Sequence, residues 1–467
     1  MANEESVASL VKSIEEKIGR TDEFDDMMEQ FIEQLIPTMA VPEQNENAYT
    51  PSIVSIGPLH RGTRLQQMES VKLSYVRSLF DRLETSFDDT LKACAAKVLD
   101  IEEFATKYYA SARLKEKTED VGLAEMMLID GCFIIELLYR NFENLGSENS
   151  ESENWNIDSI LSNPFKCYAV RRDLLLLENQ IPLIVVHDLF QLTIGKIQNK
   201  SYTRDSLIKW IFKFLGNIMG AENIIDIEND DELSNLERES GHHILCLVRG
   251  YYMPPTTPKP EKSIHQERIK YSATELRLAG VELRAGKKKE LFNIEFTKAF
   301  SWRSCSSLFI KGHLEITPFT VSDSTDCFLR NVIAYELCNP QIPSYFTSFA
   351  FFMDLLINTP DDVQLFEEAK IIRNSLGSRE EVARLFNGIC KNASSSGFHY
   401  SKVYKEAMDF CTPWRVSTGR LKHYYFGSPW AGISVMAGII LFVLALLSTI
   451  YGMLSYYVGD TLSVPYK

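Results

Sequence analysis

The sequence predicts an α+β protein: a predominantly helical body with a small antiparallel β-sheet, followed by one C-terminal transmembrane helix. Three observations support this prediction. Apolar residues recur at helical spacing over most of the chain. Short alternating stretches follow a Pro-rich break in the middle, and an uncharged apolar run lies near the C-terminus. With 467 residues, 45% hydrophobic and 24% charged, the chain is long enough for one large or two ordinary folded domains.

Residues 1–47 form an acidic N-terminal arm. The arm contains twelve Asp or Glu residues against three Lys or Arg residues, and so carries −9 of the net charge of −14. Within it, apolar residues at helical spacing predict a short amphipathic helix that packs on its own domain rather than on a partner. These residues are Val7, Leu10, Val11, Ile14 and Ile18.

Charge and cysteine usage narrow the class of protein. The net charge of −14 and a pI near 5.2 argue against a nucleic-acid partner, whose phosphates need clustered Lys and Arg. The N-terminus has no basic region followed by an apolar run, so no secretory signal is expected. Nine scattered cysteines without a C-x-x-C pair predict free thiols in a reduced compartment, with Cys132 buried.

Residues 48–252 are predicted to be the helical half of the body. They open with AYTPSIVSIGPLHRG, in which SIVSI is expected to be extended and a helix is expected from Leu65. The run from Met126 to Tyr139 is apolar nearly all round and predicts a central buried helix. The polar stretch ENLGSENSESENWN predicts a surface loop.

The stretch RRDLLLLENQIPLIVVHDLF predicts a helix-helix corner. One helix is expected to end near Asn179, and Pro182 is expected in the first turn of the next, where its missing N–H has no cost. On that second helix, His187 is expected to be a core histidine because it shares an apolar face with Phe190.

A Pro-rich linker at 253–264 is the best internal boundary, and an α+β half follows at 265–415. VELRAG, ELFNIEF, SLFIKG and HLEITPFTV alternate and predict antiparallel strands, and GVELRAGKKKE is interpreted as a basic hairpin turn. Helices are expected to resume at Asp323. Three acidic pairs are expected to face solvent: Asp361-Asp362, Glu367-Glu368 and Glu380-Glu381.

The C-terminal region predicts a single membrane span at residues 431–454. These 24 residues contain no charge, and at about 1.5 Å per residue they form a helix that crosses the roughly 30 Å hydrocarbon core. A basic and aromatic juxtamembrane segment (416–430) precedes the span, and a short tail (455–467) follows it. Aromatic residues at both interfaces support insertion: Trp430, Tyr451, Tyr456 and Tyr457.

The distribution of basic residues around the span predicts a cytoplasmic body. Lys and Arg are concentrated before the span, which the positive-inside rule places on the cytoplasmic side. The sequons at Asn199 and Asn392 would then stay unglycosylated. The small residues Ser434 and Gly438 leave a homo-oligomer open, without other support.

Candidate functional residues fall in two motifs. In the SIGPLHRG loop, His60 could act as a base, although a structural corner is the favoured interpretation. In the ENQIP corner, Glu178 could act as an acid or base, but polar residues at a helix corner usually bond free backbone groups. The candidates are Gly57, Pro58, His60, Arg61, Glu178, Asn179, Gln180 and Pro182.

Other patterns do not form a catalytic or metal site. GVELRAGKKKE fails as a phosphate loop because five residues separate its glycines and Lys288 replaces the Ser or Thr that binds magnesium. No histidine has a metal-ligand spacing, and the adjacent His242 and His243 cannot share one face of a helix or strand. We therefore predict no catalytic, cofactor-binding or metal-binding residues.

Several motifs together resemble a plant family known as domain of unknown function 247. VSIGPLHRG after AYTP, LLLLENQIPLIVVHDLF, LRLAGVELR, HLEITPFTV, LRNVIAYE and PWAGISVMAGIILFVLALLSTIY occur in the order typical of that family, from about residue 36 onward. This chain departs from the family at Leu59 and Arg61, where the family commonly has an aromatic residue and a second histidine, and at Leu337, where it often has Gln.

The resemblance implies a plant protein that is anchored in a membrane and has no established enzymatic activity. Some grass members are implicated in pollen self-recognition, which implies a recognition or signalling role. The leading interpretation is a non-enzymatic, single-span protein whose body binds another protein. The alternative is an enzyme with an unfamiliar active site around the SIGPLHRG loop and the ENQIP corner. Neither the membrane nor the protein partner is predicted.

Overall fold

The computed structural model describes most of the chain and is mostly helical there. The described residues are 4–19, 48–61, 66–108, 122–146, 158–197, 202–216, 218, 242–253, 261–262, 271–287, 292–299, 311–339, 341–391, 397–426 and 429–461.

The first half is a bundle around one apolar helix. Its helices are α1 (Glu4–Gly19), α2 (Gln66–Asp81), α3 (Phe87–Tyr108), α4 (Leu123–Gly146), α5 (Pro164–Asp173), α6 (Leu183–Leu192), α7 (Arg204–Leu215) and α8 (Ile244–Tyr252). Every residue from Met126 to Tyr139 of α4 is buried, and α2, α3, α6 and α7 pack around it. The prediction of a central buried helix is confirmed.

The N-terminal amphipathic helix packs on its own body, as predicted. Val11, Ile14 and Ile18 on α1 are buried, and α1 contacts α3, α2 and α4. The remaining part of the acidic arm, like both sequons and the predicted start of a helix at Leu65, lies outside the described residues.

The corner between α5 and α6 differs from the prediction. Helix α5 ends at Asp173 rather than near Asn179, because tight turns follow in which Leu175 and Leu176 donate backbone N–H groups to carbonyls three residues earlier. Pro182 caps α6 from outside, with φ −58°, rather than lying in its first turn.

The prediction that His187 is a core histidine is wrong. Its side chain lies at the rim of the apolar face of α6 and is 22% exposed, and its Nδ1 lies 3.1 Å from Oδ1 of Asp188. The apolar face itself is filled by neighbours such as Val186 and Phe190.

The second half combines short strands with helices. The strands are β1 (Glu261–Lys262), β2 (Val281–Ala285), β3 (Ile294–Ala299), β4 (Lys311–Ile316), β5 (Phe319–Val321), β6 (Ile372–Asn374) and β7 (Gly397–Phe398). The helices are α9 (Ala273–Leu278), α10 (Asp323–Cys338), α11 (Tyr345–Leu356), α12 (Pro360–Glu368), α13 (Arg379–Ile389), α14 (Ser401–Phe410), α15 (Pro413–Phe426) and α16 (Pro429–Thr461).

The small sheet is mixed, so the prediction of an antiparallel sheet is wrong in part. Strand β4 is central; it pairs in parallel with β2 and antiparallel with β3. Because β2 and β3 lie on opposite sides of β4, the segment that joins them is not the predicted hairpin turn. Strands β5 and β6 form a parallel pair, and β1, from the predicted Pro-rich linker, pairs antiparallel with β7.

Among the described helices, α16 is the one long and apolar enough to cross a membrane. Its apolar part, Ile433–Ser455, has a mean hydropathy of 2.6, and none of it is buried against the body. Trp430 and Tyr451 are 78% and 77% exposed. Tyr456 and Tyr457 lie within the helix, with their side chains outside the described part.

Candidate functional site

The fold brings the SIGPLHRG loop and the ENQIP corner together. Asn179 is fully buried; its Oδ1 accepts the backbone N–H of Ile56 at 2.7 Å, and its Nδ2 donates to the carbonyl oxygens of Val54 at 3.0 Å and Asp173 at 2.9 Å. At Gly57 the loop turns away with φ +77°, a left-handed conformation that favours glycine. The two motifs therefore form one site, which we call the loop-corner site.

Asp173 holds the extended stretch that leads into the loop. Its buried carboxylate accepts the backbone N–H groups of Ser52 at 3.0 Å, Ile53 at 2.7 Å and Val54 at 3.0 Å. Burial raises the pKa of Asp173, and the nearby Arg172 together with these N–H groups opposes the rise. SIVSI pairs with no strand in the described chain. The Asp173 carboxylate therefore accepts backbone N–H groups that a neighbouring strand would accept in a sheet.

Asp130 and Lys72 form a buried ion pair beneath the loop. Asp130 accepts the N–H of Gly57 at 2.8 Å and the ammonium of Lys72 at 2.6 Å, and both side chains are 2% exposed. Lys72 also donates to the carbonyl oxygen of Ser55 and to Glu69. Burial raises the pKa of Asp130, and Lys72 opposes this rise. Asp130 and Lys72 thus provide hydrogen-bond partners for the N–H of Gly57 and the carbonyl of Ser55, which lie outside any helix or strand.

Gln180 and Pro182 are also structural. The Nε2 of Gln180 donates to the carbonyl oxygens of Leu174 at 2.7 Å and Leu176 at 2.8 Å, and its Oε1 accepts the N–H of Leu245 at 3.3 Å. Pro182 is buried and its carbonyl accepts the N–H of Val185 at 3.0 Å, in the first turn of α6. The expectation that polar residues of the corner bond backbone groups is confirmed for Asn179 and Gln180.

Three of the candidate residues carry groups able to take part in acid–base or ionic chemistry: His60, Glu178 and Arg61. The Nε2 of His60 lies 3.9 Å from an Oε2 of Glu178, too far for a direct hydrogen bond. The His60 side chain is 15% exposed, that of Glu178 is 53% exposed, and Arg61 is half-buried. When the imidazole is protonated the arrangement is an ion pair in which Glu178 is exposed and the Nε2 of His60 is buried.

Two polar residues of α10 tie it to the rest of the body, and the first of them reaches the loop-corner site. Asn331, in LRNVIAYE, accepts the N–H of Leu177 at 2.8 Å and donates to the carbonyl oxygen of Ala48 at 2.8 Å. Glu336, in the same motif, accepts from Arg249 at 3.1 Å and from two backbone N–H groups at the start of α11. Burial raises the pKa of Glu336, and Arg249 opposes this. Sequence reasoning noted the motif but neither role.

Asp362 was missed as well, because the prediction that its acidic pair faces solvent is wrong for this residue. Its carboxylate is fully buried and accepts from Ser272 at 2.9 Å, from Thr274 at 2.8 Å and 2.7 Å, and from Asn358 and Thr359 at 3.1 Å and 3.0 Å. Burial alone would raise the pKa of Asp362, but these hydrogen bonds outweigh it and lower the pKa. The Thr-Pro-Asp-Asp capping pattern was the available signal.

In the part of the chain that the structure describes, few side chains are suited to metal binding or to thiol chemistry. No group of three His, Cys, Asp or Glu residues could hold a metal ion there. The described cysteines are free thiols, and Cys132 is buried as predicted, whereas Cys338 is exposed. Burial raises the pKa of Cys94 to about 12, which keeps that thiol protonated and weakly nucleophilic.

The fold and the site define a class: a mostly helical α+β protein whose short motifs anchor one another inside the body, with one C-terminal helix of membrane-spanning length. The chain belongs to a family described as plant protein of unknown function (DUF247), whose family model matches residues 34–444. The resemblance drawn from the motifs is thereby confirmed.

Two relatives from Arabidopsis thaliana match over nearly the whole chain. UPF0481 protein At3g47200 is 27% identical over 450 residues, which cover 89% of this chain and 86% of the relative. Putative UPF0481 protein At3g02645 is 21% identical over 482 residues, which cover 85% of this chain and 86% of the relative. No solved structure matches the chain.

Proposed function

We propose that this plant protein is a non-enzymatic binding component, anchored in a membrane by α16, whose cytoplasmic body binds another protein. The proposal rests on the hydrogen bonds that the motif side chains form. Asn179, Gln180 and Asp173 direct their hydrogen bonds to backbone groups, which leaves a stable scaffold and few groups for chemistry.

The exposed surface of α16 supports membrane anchoring. The apolar part has 23 residues, a length of about 35 Å, which exceeds the roughly 30 Å hydrocarbon core. A core helix of a soluble domain would bury its apolar surface, whereas none of this stretch is covered by the body. Trp430 precedes the stretch and Tyr451 lies near its end, where amphipathic rings favour the interface.

The sidedness is tested in microsomes. The full-length chain, tagged at the N-terminus, is translated in the presence of microsomes and treated with protease. We expect the tag and body to be digested, and Asn199 and Asn392 to carry no glycan. A protected body with a glycosidase-sensitive mass shift would contradict the cytoplasmic orientation.

Partner binding is tested by proximity labelling in plant cells. The matched control carries the labelling enzyme on α15 and α16 alone, so that it reaches the same membrane without the body. We expect a reproducible set of proteins that the full chain labels and the control does not. Identical sets from both would remove the proposal's main support, because the body would then add no partner.

The rival function is an enzyme built around His60 and Glu178, and their 3.9 Å approach at the surface is the observation in its favour. His60→Asn and Glu178→Gln remove the base and the carboxylate while keeping similar volume. Under the binding proposal, both variants keep the fold and the body-specific labelling. Loss of biological function in a variant that folds and labels normally would favour the enzyme.

A further inference from the structure

A small cavity lies between α5, the C-terminal end of α7 and the first turn of α10. Its volume is about 140 Å³, and its wall includes Tyr168, Arg171, Arg172, Ser324 and Phe328. At about 30 Å³ per water, the cavity has room for four or five waters or a small anion. It lies apart from His60 and Glu178, which do not line it.

Two arginine side chains meet at this cavity. The guanidinium of Arg171 lies over the ring of Phe214 at 5.3 Å, and no described carboxylate forms an ion pair with it. Its Nε is buried, and no described atom accepts a hydrogen bond from it. Arg172 donates through Nη2 to the carbonyl oxygen of Thr50 and to Asp173, while its Nε is likewise buried without an acceptor. Both Nε atoms are enclosed by protein, so the cavity is lined by other atoms of these two side chains.

Neutral side chains also line the cavity: Tyr168 on α5, and Ser324 on α10, whose hydroxyl pairs with that of Ser322 at 2.8 Å. Ser324 lies in the first turn of α10, a helix of 16 residues whose N-cap is Ser322, and the N-terminus of such a helix favours an anion. Burial raises the pKa of Tyr168, so its hydroxyl stays protonated and able to donate. Burial also raises the pKa of Cys327 to about 12, so this thiol adds no negative charge to the wall.

The described carboxylates near the cavity mostly bond other groups. Asp173 accepts three backbone N–H groups and Arg172, and Asp326 pairs with Arg330 at 2.7 Å. Asp323 is exposed at the start of α10, close enough to Tyr168 to raise the pKa of its hydroxyl. Among the described residues, the two arginines thus outweigh the one exposed carboxylate near the cavity, which would repel an anion.

We propose that this cavity binds a phosphate-sized oxyanion, either as free phosphate or as a phosphate monoester such as a lipid headgroup. Arginine forks match the geometry of phosphate oxygens, and charge-assisted hydrogen bonds of this kind are the strong ones. The ligand would give the guanidinium of Arg171, which pairs with no carboxylate among the described residues, a counter-ion at the cavity.

The test uses the full-length protein in phosphatidylcholine nanodiscs, titrated with inorganic phosphate at constant ionic strength with chloride as the background anion. We expect saturable binding by calorimetry. Arg171→Gln should weaken the affinity by roughly tenfold or more, the effect of losing one charge-assisted hydrogen bond. Arg77→Gln is the matched control: it removes one arginine charge from an exposed ion pair with Asp81 on α2 and should leave the affinity unchanged.

A second variant separates ligand binding from folding. Asp323→Asn removes the repelling carboxylate and should tighten phosphate binding by roughly two- to fivefold, a gain that a purely structural role of Arg171 does not predict. Thermal unfolding of each variant without phosphate confirms that it is folded.

The source of the anion is separated by replacing part of the phosphatidylcholine with phosphatidic acid. Competition by phosphatidic acid in the disc indicates a headgroup, and binding that the lipid does not change indicates free phosphate. Absence of saturable phosphate binding by the wild-type protein, or equal weakening by Arg171→Gln and Arg77→Gln, would overturn the proposal.

Discussion

Protonation of the buried His243 is predicted to destabilise the fold. His243 caps α8: its Nδ1 accepts the backbone N–H of Cys246 at 3.1 Å, and its ring meets the edge of Tyr335 with centroids 5.2 Å apart. A protonated imidazole could not accept this hydrogen bond, and it would place a charge in the interior. Burial, with a smaller contribution from His242, lowers the pKa of His243 from 6.5 to about 3.

The magnitude follows from linkage between protonation and folding. Because the folded-state pKa lies below the unfolded-state pKa, the unfolded chain binds more protons than the folded protein between these two values. The stability that depends on the neutral imidazole is complete above the unfolded-state pKa and is lost as the pH falls toward the folded-state pKa. Each pH unit in this window removes about 1.4 kcal/mol, so the loss from about pH 7.5 to about pH 5 is about 2 kcal/mol.

The assay is urea unfolding of the full-length protein in detergent at the two pH values, followed by the fluorescence of tryptophans that include the buried Trp210. His243→Asn keeps a good N-cap acceptor but does not titrate. We expect its free energy of unfolding to fall by about 2 kcal/mol less than that of the wild type on acidification. His187→Asn removes a partly exposed imidazole instead and is the control for the loss of a histidine outside the interior.

The quantity compared is the change in the free energy of unfolding between the two pH values, for wild type and for the variant. The cost of the substitution itself is present at both pH values and therefore cancels. If wild type and His243→Asn lose the same free energy within about 0.5 kcal/mol, the interior does not hold His243 neutral and the reasoning is wrong.

Three further predictions are measured by urea unfolding. Gly419→Ala should lower the free energy of unfolding by about 1–3 kcal/mol, since its Cβ would lie 1.8 Å from a backbone oxygen of α9, whereas Gly438→Ala meets nothing within 4 Å and should have little effect. Lys72→Met leaves the buried Asp130 without its cation and should cost about 3–5 kcal/mol, part of which the double variant with Asp130→Leu recovers; no recovery would contradict the ion-pair argument. Asp362→Asn should cost about 1–3 kcal/mol at neutral pH, and this gap should shrink as the pH falls through the lowered pKa of the carboxylate; a constant gap would count against that pKa shift.

The helices could be predicted from the sequence because their signal is local. The apolar run from Met126 to Tyr139 and the stripe on α1 report burial through spacing alone, and both interpretations are confirmed. The arrangement of the small sheet could not be predicted in the same way. Alternation in β2, β3 and β4 indicates which side chains face inward, but it contains no information on which strands pair or in which direction.

The candidate site was predicted in part. Sequence reasoning selected Asn179 and Gln180 and assigned them to backbone bonding, because polar residues beside a helix end have free backbone groups in reach. It missed the roles of Asp130 and Asp173. Asp130 lies in the run predicted to be buried, but the sequence does not show which groups either carboxylate bonds. Their backbone N–H partners lie 73 to 121 residues away, so only the folded chain shows how these carboxylates are satisfied.

The family motifs meet one another inside the body, and this changes where function should be sought. Ala48 of AYTP bonds Asn331 of LRNVIAYE, Asn331 bonds the backbone just before ENQIP, and Asn179 of ENQIP bonds the backbone of SIVSI. Losing any of these side chains would leave buried N–H or C=O groups without a partner, at about 1–3 kcal/mol each. Folding alone is therefore a sufficient reason for the motif residues, and a binding function is better sought at the surface. Two candidate places are the exposed carboxylate of Glu178 beside His60 and the arginine cavity beside α10.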